Sequence, residues 1–265
     1  LRTRRQRQMC IRDRSFAIRE KNAPRTTSQD VTDKHMAKHI SEQYDLELAQ
    51  VRERLMEMGG IVESQVNNSC TALVTHDLDM AEEVRDVEAN LNQFEVELDD
   101  LCVSIIAKRQ PTARDLRTVV SVMKVITDLE RIGDEADRIA RMALDLANSE
   151  IPTDHYADFR SLHTNAVKML KRALDAFARL DIEMALRVIE DDELIDNGYD
   201  RILRLCSEQM QSNPTEVERL LRLMWSARAV ERIGDHAKNI GEYVIYLVKG
   251  RDVRHTPLSD ADILA

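Results

Sequence analysis

From Ile40 onward, apolar residues recur every three or four positions almost without interruption, the spacing of amphipathic helices. Breakers are few. Pro111, the stretch from Asn148 to Thr153, and Ser212-Asn213-Pro214 cut the chain, and weaker divisions fall near Asp77 and Asp181. This pattern predicts six helices, at roughly 40–76, 78–109, 112–148, 155–180, 182–211 and 215–249. Short connections between long helices predict antiparallel neighbours, so the expected fold is all-α.

The second three helices repeat the first three. Ala81, Val84, Leu101 and Cys102 fall on Ala185, Val188, Leu205 and Cys206 when "AEEVRDVEANLNQFEVELDDLC" is set against "ALRVIEDDELIDNGYDRILRLC". Asp77 falls on Asp181, and a Pro-Thr pair opens the third helix of each half, at Pro111 and Pro214. "LERIGDEA" from Leu129 and "VERIGDHA" from Val230 share six of eight residues. The expected organisation is two tandem three-helix bundles, 36–150 and 151–250, with a tail at 251–265.

The pattern changes character inside the third helix of each half. Leu116, Val119, Val120 and Met123 share one face, and Glu130 and Asp134 continue it at near-whole turns. Val122, Val125, Leu129, Ile132, Ala136 and Ile139 form a second stripe. In the sixth helix Val217, Leu220, Leu221 and Met224 lead into Glu231 and Asp235. The expectation is a helix packed on two sides, one of whose inward faces turns from apolar to acidic. Gly133 and Gly234 lie between the acids. Glycine costs about 1 kcal/mol in a helix interior, so close approach of a backbone or ligand is expected there.

The middle helices supply matching pairs, Glu88/Asn92 and Asp192/Asp196, at i, i+4 spacing. If helices two and three are antiparallel neighbours, each bundle brings four oxygen-bearing side chains together. Such carboxylates repel, and they must be protonated, paired with cations, or neutralised by a metal. Arg228, one turn before Glu231, is placed to pair with it, whereas Arg131 and Arg232 point about 100° away. An all-oxygen donor set suits hard cations such as Mg²⁺, Mn²⁺ or iron rather than zinc. The alternative is a solvated, salt-bridged face with no metal.

Composition narrows the function classes. Charged residues make up 32% of the 265 and aromatics only 4%, with Gly (7) and Pro (5) scarce, as expected of long helices with aliphatic cores. Residues 1–35 carry ten Lys/Arg and four Asp/Glu, while the remainder carries 28 and 44. An acidic body disfavours nucleic-acid binding. The basic leader, 1–35, has no helical period and contains "QMCIRDRS", which resembles translated sequencing adapter; it is read as a non-native or disordered extension. His35 and His39 stand at i, i+4 spacing at its edge. No apolar run reaches the ~20 residues of a membrane span and no signal peptide is visible, so a cytoplasmic protein is expected. The four cysteines form no CxxC pair and are read as buried thiols.

Catalytic signatures are missing. There is no Walker A loop, GxGxxG, HExxH or GxSxG, and no Glu-x-x-His of the di-iron bundles. His236 reads as a polar-face histidine, and Trp225, Tyr243 and Tyr246 read as packing residues.

"MGGIVESQV" (58–66), "RQPTARDLR" (109–117), "DLERIGDEA" (128–136) and "AVERIGDHAKNIGEYVIYLVKGRDVRHT" (229–256) together resemble the PhoU family of phosphate-specific transport accessory proteins, from about residue 38 to 256. The resemblance implies two homologous three-helix bundles. It implies metal binding by E(D)-x-x-x-D pairs, with iron, manganese, magnesium or zinc as the ion. Glu130/Asp134, Glu231/Asp235 and Asp192/Asp196 match that motif, while Glu88/Asn92 departs from it at its second place. "ARDLR" also matches, and its Arg114 and Arg117 are placed either to pair with acids or to face a partner. The resemblance further implies a non-enzymatic negative regulator of the phosphate-starvation response. Such a regulator links the ATPase subunit of the phosphate ABC transporter to the phosphate-sensor histidine kinase and forms dimers. A metal-dependent bundle enzyme and a metal-free helical scaffold are the competing readings.

Overall fold

The computed structural model describes residues 27–146 and 156–254, with side chains from residue 42 onward. The predicted leader up to residue 26 and the tail from 255 lie outside the described residues, as do the side chains of His35 and His39. The chain divides into a unit ending at Asp45, whose described part is helical backbone, and a unit from Leu46 that carries everything below.

Six α-helices are described: α1 (Thr27–Thr75), α2 (Leu78–Arg109), α3 (Ala113–Asp145), α4 (Tyr156–Arg179), α5 (Ile182–Ser212) and α6 (Val217–Lys249). No strand occurs among the described residues. The predicted boundaries hold to within about three residues, except that α1 begins at Thr27 rather than near 40. A single 3-10 turn, Pro214–Glu216, precedes α6. None of the helices is long and apolar enough to cross a membrane, among the described residues.

The duplication is visible in the turns. His76 and Leu180 both adopt the left-handed conformation, with φ of 55° and 54°. In both turns the next N–H reaches back five residues, Asp77 to the Ala72 carbonyl (3.1 Å) and Asp181 to the Ala176 carbonyl (3.0 Å). The same aspartate then caps the following helix. Asp77 Oδ1 accepts from the Met80 N–H and Asp181 Oδ1 from the Met184 N–H, each at 3.0 Å. A helix stop and a helix start are thus compressed into two residues, which makes α1/α2 and α4/α5 antiparallel hairpins.

Within the first bundle α2 packs on α3, and within the second α4, α5 and α6 pack on one another. Ion pairs tie α1 to α2: Arg54 to Glu97 (2.6 Å), and Arg109 with both Glu47 oxygens (2.9 and 2.7 Å). The bundles join along α3 and α6. One predicted face needs correction. The Val122, Val125, Leu129, Ile132, Ala136, Ile139 stripe of α3 is fully buried, but of the other stripe only Val119 is. Leu116 is exposed, and Val120 and Met123 are half-buried. The same holds on α6, where Leu220 is buried but Val217, Leu221 and Met224 are half-buried. The acids therefore continue a face that is only partly covered, with Glu231 buried, Glu130 half-buried, and Asp134 and Asp235 exposed, not a second core face.

Candidate functional site

Two contacts fix the register of the acids. A Cβ on Gly133 would stand 2.3 Å from Leu91 Cδ2, and one on Gly234 would stand 3.0 Å from Ile195 Cγ2. The glycines therefore seat a middle-helix side chain from α2 or α5, not a ligand. Leu91 lies between Glu88 and Glu95, and Ile195 between Asp192 and Asp196, so the acids of each middle helix are carried past those of α3 and α6.

In the second bundle the predicted four come together. Asp192 is buried and takes the Lys238 ammonium at 2.5 Å through Oδ2. Burial first, and then the Asp235 carboxylate, push Glu231 up to about 7; Arg228, paired with it as predicted, opposes this, and Asp196 and Asp192 add to it. Asp235 is raised by burial and by Asp192, and Asp196 by burial, Asp192 and Asp235, with Asp200 adding a smaller push. Asp192 Oδ1 and Glu231 Oε2 are buried without a hydrogen-bond partner among the described residues.

The first bundle is arranged differently. Burial, followed by the charges of Asp137 and Asp134, lifts Glu88 to about 7. Glu130 is raised by burial, Asp134 and Glu95. Glu95 is raised by burial, Asp99 and Asp134. Asn92 is exposed, and the next acid along α2 is Glu95. Glu95 and Asp99 form an E-x-x-x-D pair of their own, and Asp99 Oδ1 is buried without a partner among the described residues. Sequence reasoning missed this pair, although its spacing is that of ERIGD; the alignment to Asp192/Asp196 drew attention one turn too early. Asp137, also missed, is buried and held by Arg85 (3.3 Å) and Arg141.

Between the bundles lies a third set. Asp128, buried on α3, accepts from His236 Nδ1 (2.7 Å) and Asn239 Nδ2 (3.1 Å) of α6. Glu135, also buried, pairs with Arg232 (2.7 Å) and Arg138 (2.9 Å). His236 is thus a buried clamp residue rather than a polar-face one. Tyr243 is buried beside Asp128, and burial together with that carboxylate pushes its hydroxyl well up. Trp225, expected to pack, is 54% exposed. Arg114 is exposed, and the Arg117 guanidinium lies 3.6 Å from the position of a Gly250 Cβ, at the end of α6.

Oxygen-only donors, mutual repulsion and orphaned buried carboxylate oxygens fit a hard cation in either cluster. Among the described residues, no three His, Cys, Asp or Glu are drawn together closely enough to hold an ion as the side chains stand.

The PhoU domain model matches residues 55–143 and again 159–244, one copy in each bundle. The chain belongs to the PhoU family. It is 45% identical over 221 residues to the phosphate-specific transport system accessory protein PhoU homolog of Pseudomonas aeruginosa, covering 83% of this chain and 91% of that protein. It is 41% identical over 230 residues to the accessory protein PhoU of Escherichia coli K12, covering 87% and 95%. The crystal structure of PhoU from P. aeruginosa matches with a TM-score of 0.77 at 44% identity, covering 78% of this chain and all of that one. The phosphate transport system regulatory protein PhoU from Streptococcus pneumoniae matches at 0.71 and 26% identity, over 79% and 99%. PhoU proteins bear the names of accessory and regulatory proteins, and the family is not one of enzymes.

Proposed function

We propose that this PhoU-family chain is a cytoplasmic negative regulator of the phosphate-starvation response, a metal-binding homodimeric adaptor. It contacts the ATPase subunit of the phosphate ABC transporter and the phosphate-sensor histidine kinase, holding the kinase inhibitory and restraining uptake when phosphate is sufficient. Family membership over both bundles supports the regulatory part. The observation that carries the metal part is the set of orphaned buried oxygens, on Asp99 in the first cluster and on Asp192 and Glu231 in the second.

A bound cation supplies positive charge that lets neighbouring carboxylates ionise together at neutral pH. In the second bundle Asp192, Asp196, Glu231 and Asp235 are the residues to hold it. In the first they are Glu88, Glu95, Asp99, Glu130 and Asp134, with Asn92 available as a neutral oxygen donor. The chain's own groups do the rest. Lys238 and Arg228 neutralise part of the second cluster, and the Gly133 and Gly234 contacts hold the helices at the spacing the acids need.

Two experiments test this. A deletion strain is expected to express alkaline phosphatase regardless of phosphate and to be restored by the wild-type chain; normal repression without the gene defeats the regulatory reading. Elemental analysis of purified protein is expected to show metal that Glu231→Gln/Asp235→Asn and Glu95→Gln/Asp99→Asn each reduce. Wild-type protein without metal after growth in supplemented medium and reconstitution would favour the metal-free scaffold.

A further inference from the structure

The bundles also differ on the outer face of their first two helices. In the first bundle a groove of about 440 Å³ runs between α1 and α2, edged by Glu57 and Glu83 and floored by Ile61 and Val84. Nothing lies within 4 Å of where a Gly60 Cβ would stand. Ser64, which lines it, and Thr71 and Thr75 beyond it turn their hydroxyls onto the carbonyls of Gly60 (3.0 Å), Asn67 (2.7 Å) and Thr71 (2.8 Å). The exposed ridge of α1 is therefore low and asks nothing of a partner's hydrogen bonds. Buried Gln65, which also lines the groove, keeps an Oε1 without a partner.

The identical turns at Asp77 and Asp181 set positions 104 apart in correspondence across the repeat. Gly60 then corresponds to Thr164, Ser64 to Lys168, Asn67 to Lys171 and Glu83 to Arg187. Asn68 corresponds to Arg172, which covers this position in the second bundle by pairing with Asp191 of α5. On α4, Lys168 and Lys171 are exposed, in one helical stripe with exposed Arg160 and Arg179. In an otherwise acidic body this helix carries five Lys/Arg against two Asp/Glu. One face is thus hollow and acid-edged, and its counterpart is raised and cationic.

We propose that the α1/α2 groove of one copy receives the basic ridge of α4 from a second copy. Two-fold symmetry makes the reciprocal contact at the same time, so the pair closes instead of forming a filament. Lys168 and Lys171 lay their aliphatic stems over Ile61 and Val84 and direct their ammonium groups to Glu57 and Glu83. This names the faces of the homodimer proposed above and rests on that reading.

Charge reversal tests it on the full chain by sedimentation velocity. Glu57, Glu83, Lys168 and Lys171 are all exposed, so their replacement leaves the cores intact. Glu57→Lys/Glu83→Lys and Lys168→Glu/Lys171→Glu are each expected to raise the dimer dissociation constant at least about 100-fold, a loss of ~2.7 kcal/mol. An equimolar mixture of the two variants is expected to dimerise, because each reversed face then meets an opposite charge. Dimers unaffected by either reversal, or a mixture that stays monomeric, would overturn the assignment of faces. A wild-type chain that is monomeric at every concentration would overturn the homodimer itself and this interface with it.

Discussion

The two acidic clusters share a scaffold and differ in charge. In both, a glycine of the third helix seats an aliphatic residue of the middle helix, Leu91 on Gly133 and Ile195 on Gly234. Around that shared contact the side chains have diverged. The second cluster is compact and carries its own cations, Lys238 on Asp192 and Arg228 on Glu231. The first runs further along α2, to Glu95 and Asp99; Tyr199 stands where Glu95 does, beneath the Arg228 guanidinium at 5.7 Å. Asp137 in the first half corresponds to Lys238 in the second. The lesson is that duplication preserves packing register more strictly than charge. Asn92 alone made the first site look the poorer one; with Glu95 and Asp99 counted, it is the more acidic.

The sharpest break in the symmetry is between the bundles. Asp128 corresponds to Ala229, so the buried clamp to His236 and Asn239 is made from one side only. Asp128→Ala leaves buried His236 and half-buried Asn239 of α6 without their acceptor, and is expected to cost about 3 kcal/mol in urea unfolding. Asp192→Ala should cost under ~1 kcal/mol, because the loss of the Lys238 pair is offset by relief of repulsion on Glu231 and Asp235. Equal losses at the two positions would mean that the acidic cluster is a structural clamp like the interface.

Acidity distinguishes the clusters from ordinary ion pairs. Glu88 and Glu231 sit at about 7 in the folded chain, above the usual carboxylate value of 4.5. A carboxylate raised on folding binds its proton more tightly in the native state. Its effect is absent below about pH 4.5 and becomes a growing penalty as pH rises to about 7. With chelator present, the melting temperature is therefore expected to fall between pH 5 and 7.5, by a few °C or so. Glu231→Gln and Glu88→Gln should each remove part of the fall, and divalent cation should reverse it. A flat profile in chelator would remove the electrostatic case for both sites.

The glycine contacts grade the two halves by crowding. Gly133→Ala must displace buried Leu91, whereas Gly234→Ala asks Ile195 to yield by only a few tenths of an ångström. Overpacking costs ~1–3 kcal/mol and the added methyl returns about 1 kcal/mol of helix propensity. The expected outcome is a net loss of about 1 kcal/mol at Gly133 and little change at Gly234, read as a difference in urea midpoint.

Much of this was legible beforehand because it is periodic. Six helices, the duplication and all of the clustered acids but Glu95, Asp99 and Asp137 follow from spacing and from ERIGD. What was not legible depends on neighbours. Spacing alone cannot say that the Leu116, Val120, Met123 stripe faces outward, because an open face and a second core face carry the same residues on a helix of this kind. Nor does it distinguish His236 as a clamp, since its partner Asp128 is 108 residues away and is fixed only by the α3–α6 crossing. Glu95 and Asp99 were visible as a spacing but were passed over, because the alignment of the two halves follows packing and the acids do not.

The smallest effect gives the cleanest control, because there the halves are the same. Asp77 and Asp181 accept equivalent N–H bonds at 3.0 Å, after residues with nearly the same left-handed φ. Loss of a helix N-cap costs about 1 kcal/mol. Both aspartates are half-buried, so solvent replaces the lost acceptor to a similar degree in each turn. Asp77→Ala and Asp181→Ala are therefore expected to cost about 1 kcal/mol apiece and, being in separate hairpins, to add in the double variant. Asn at either position, which caps as well as Asp, should restore most of the loss. A marked inequality between the two would show that the hairpins differ in more than their outer faces, and that the shared scaffold on which the two clusters are compared is less uniform than its backbone.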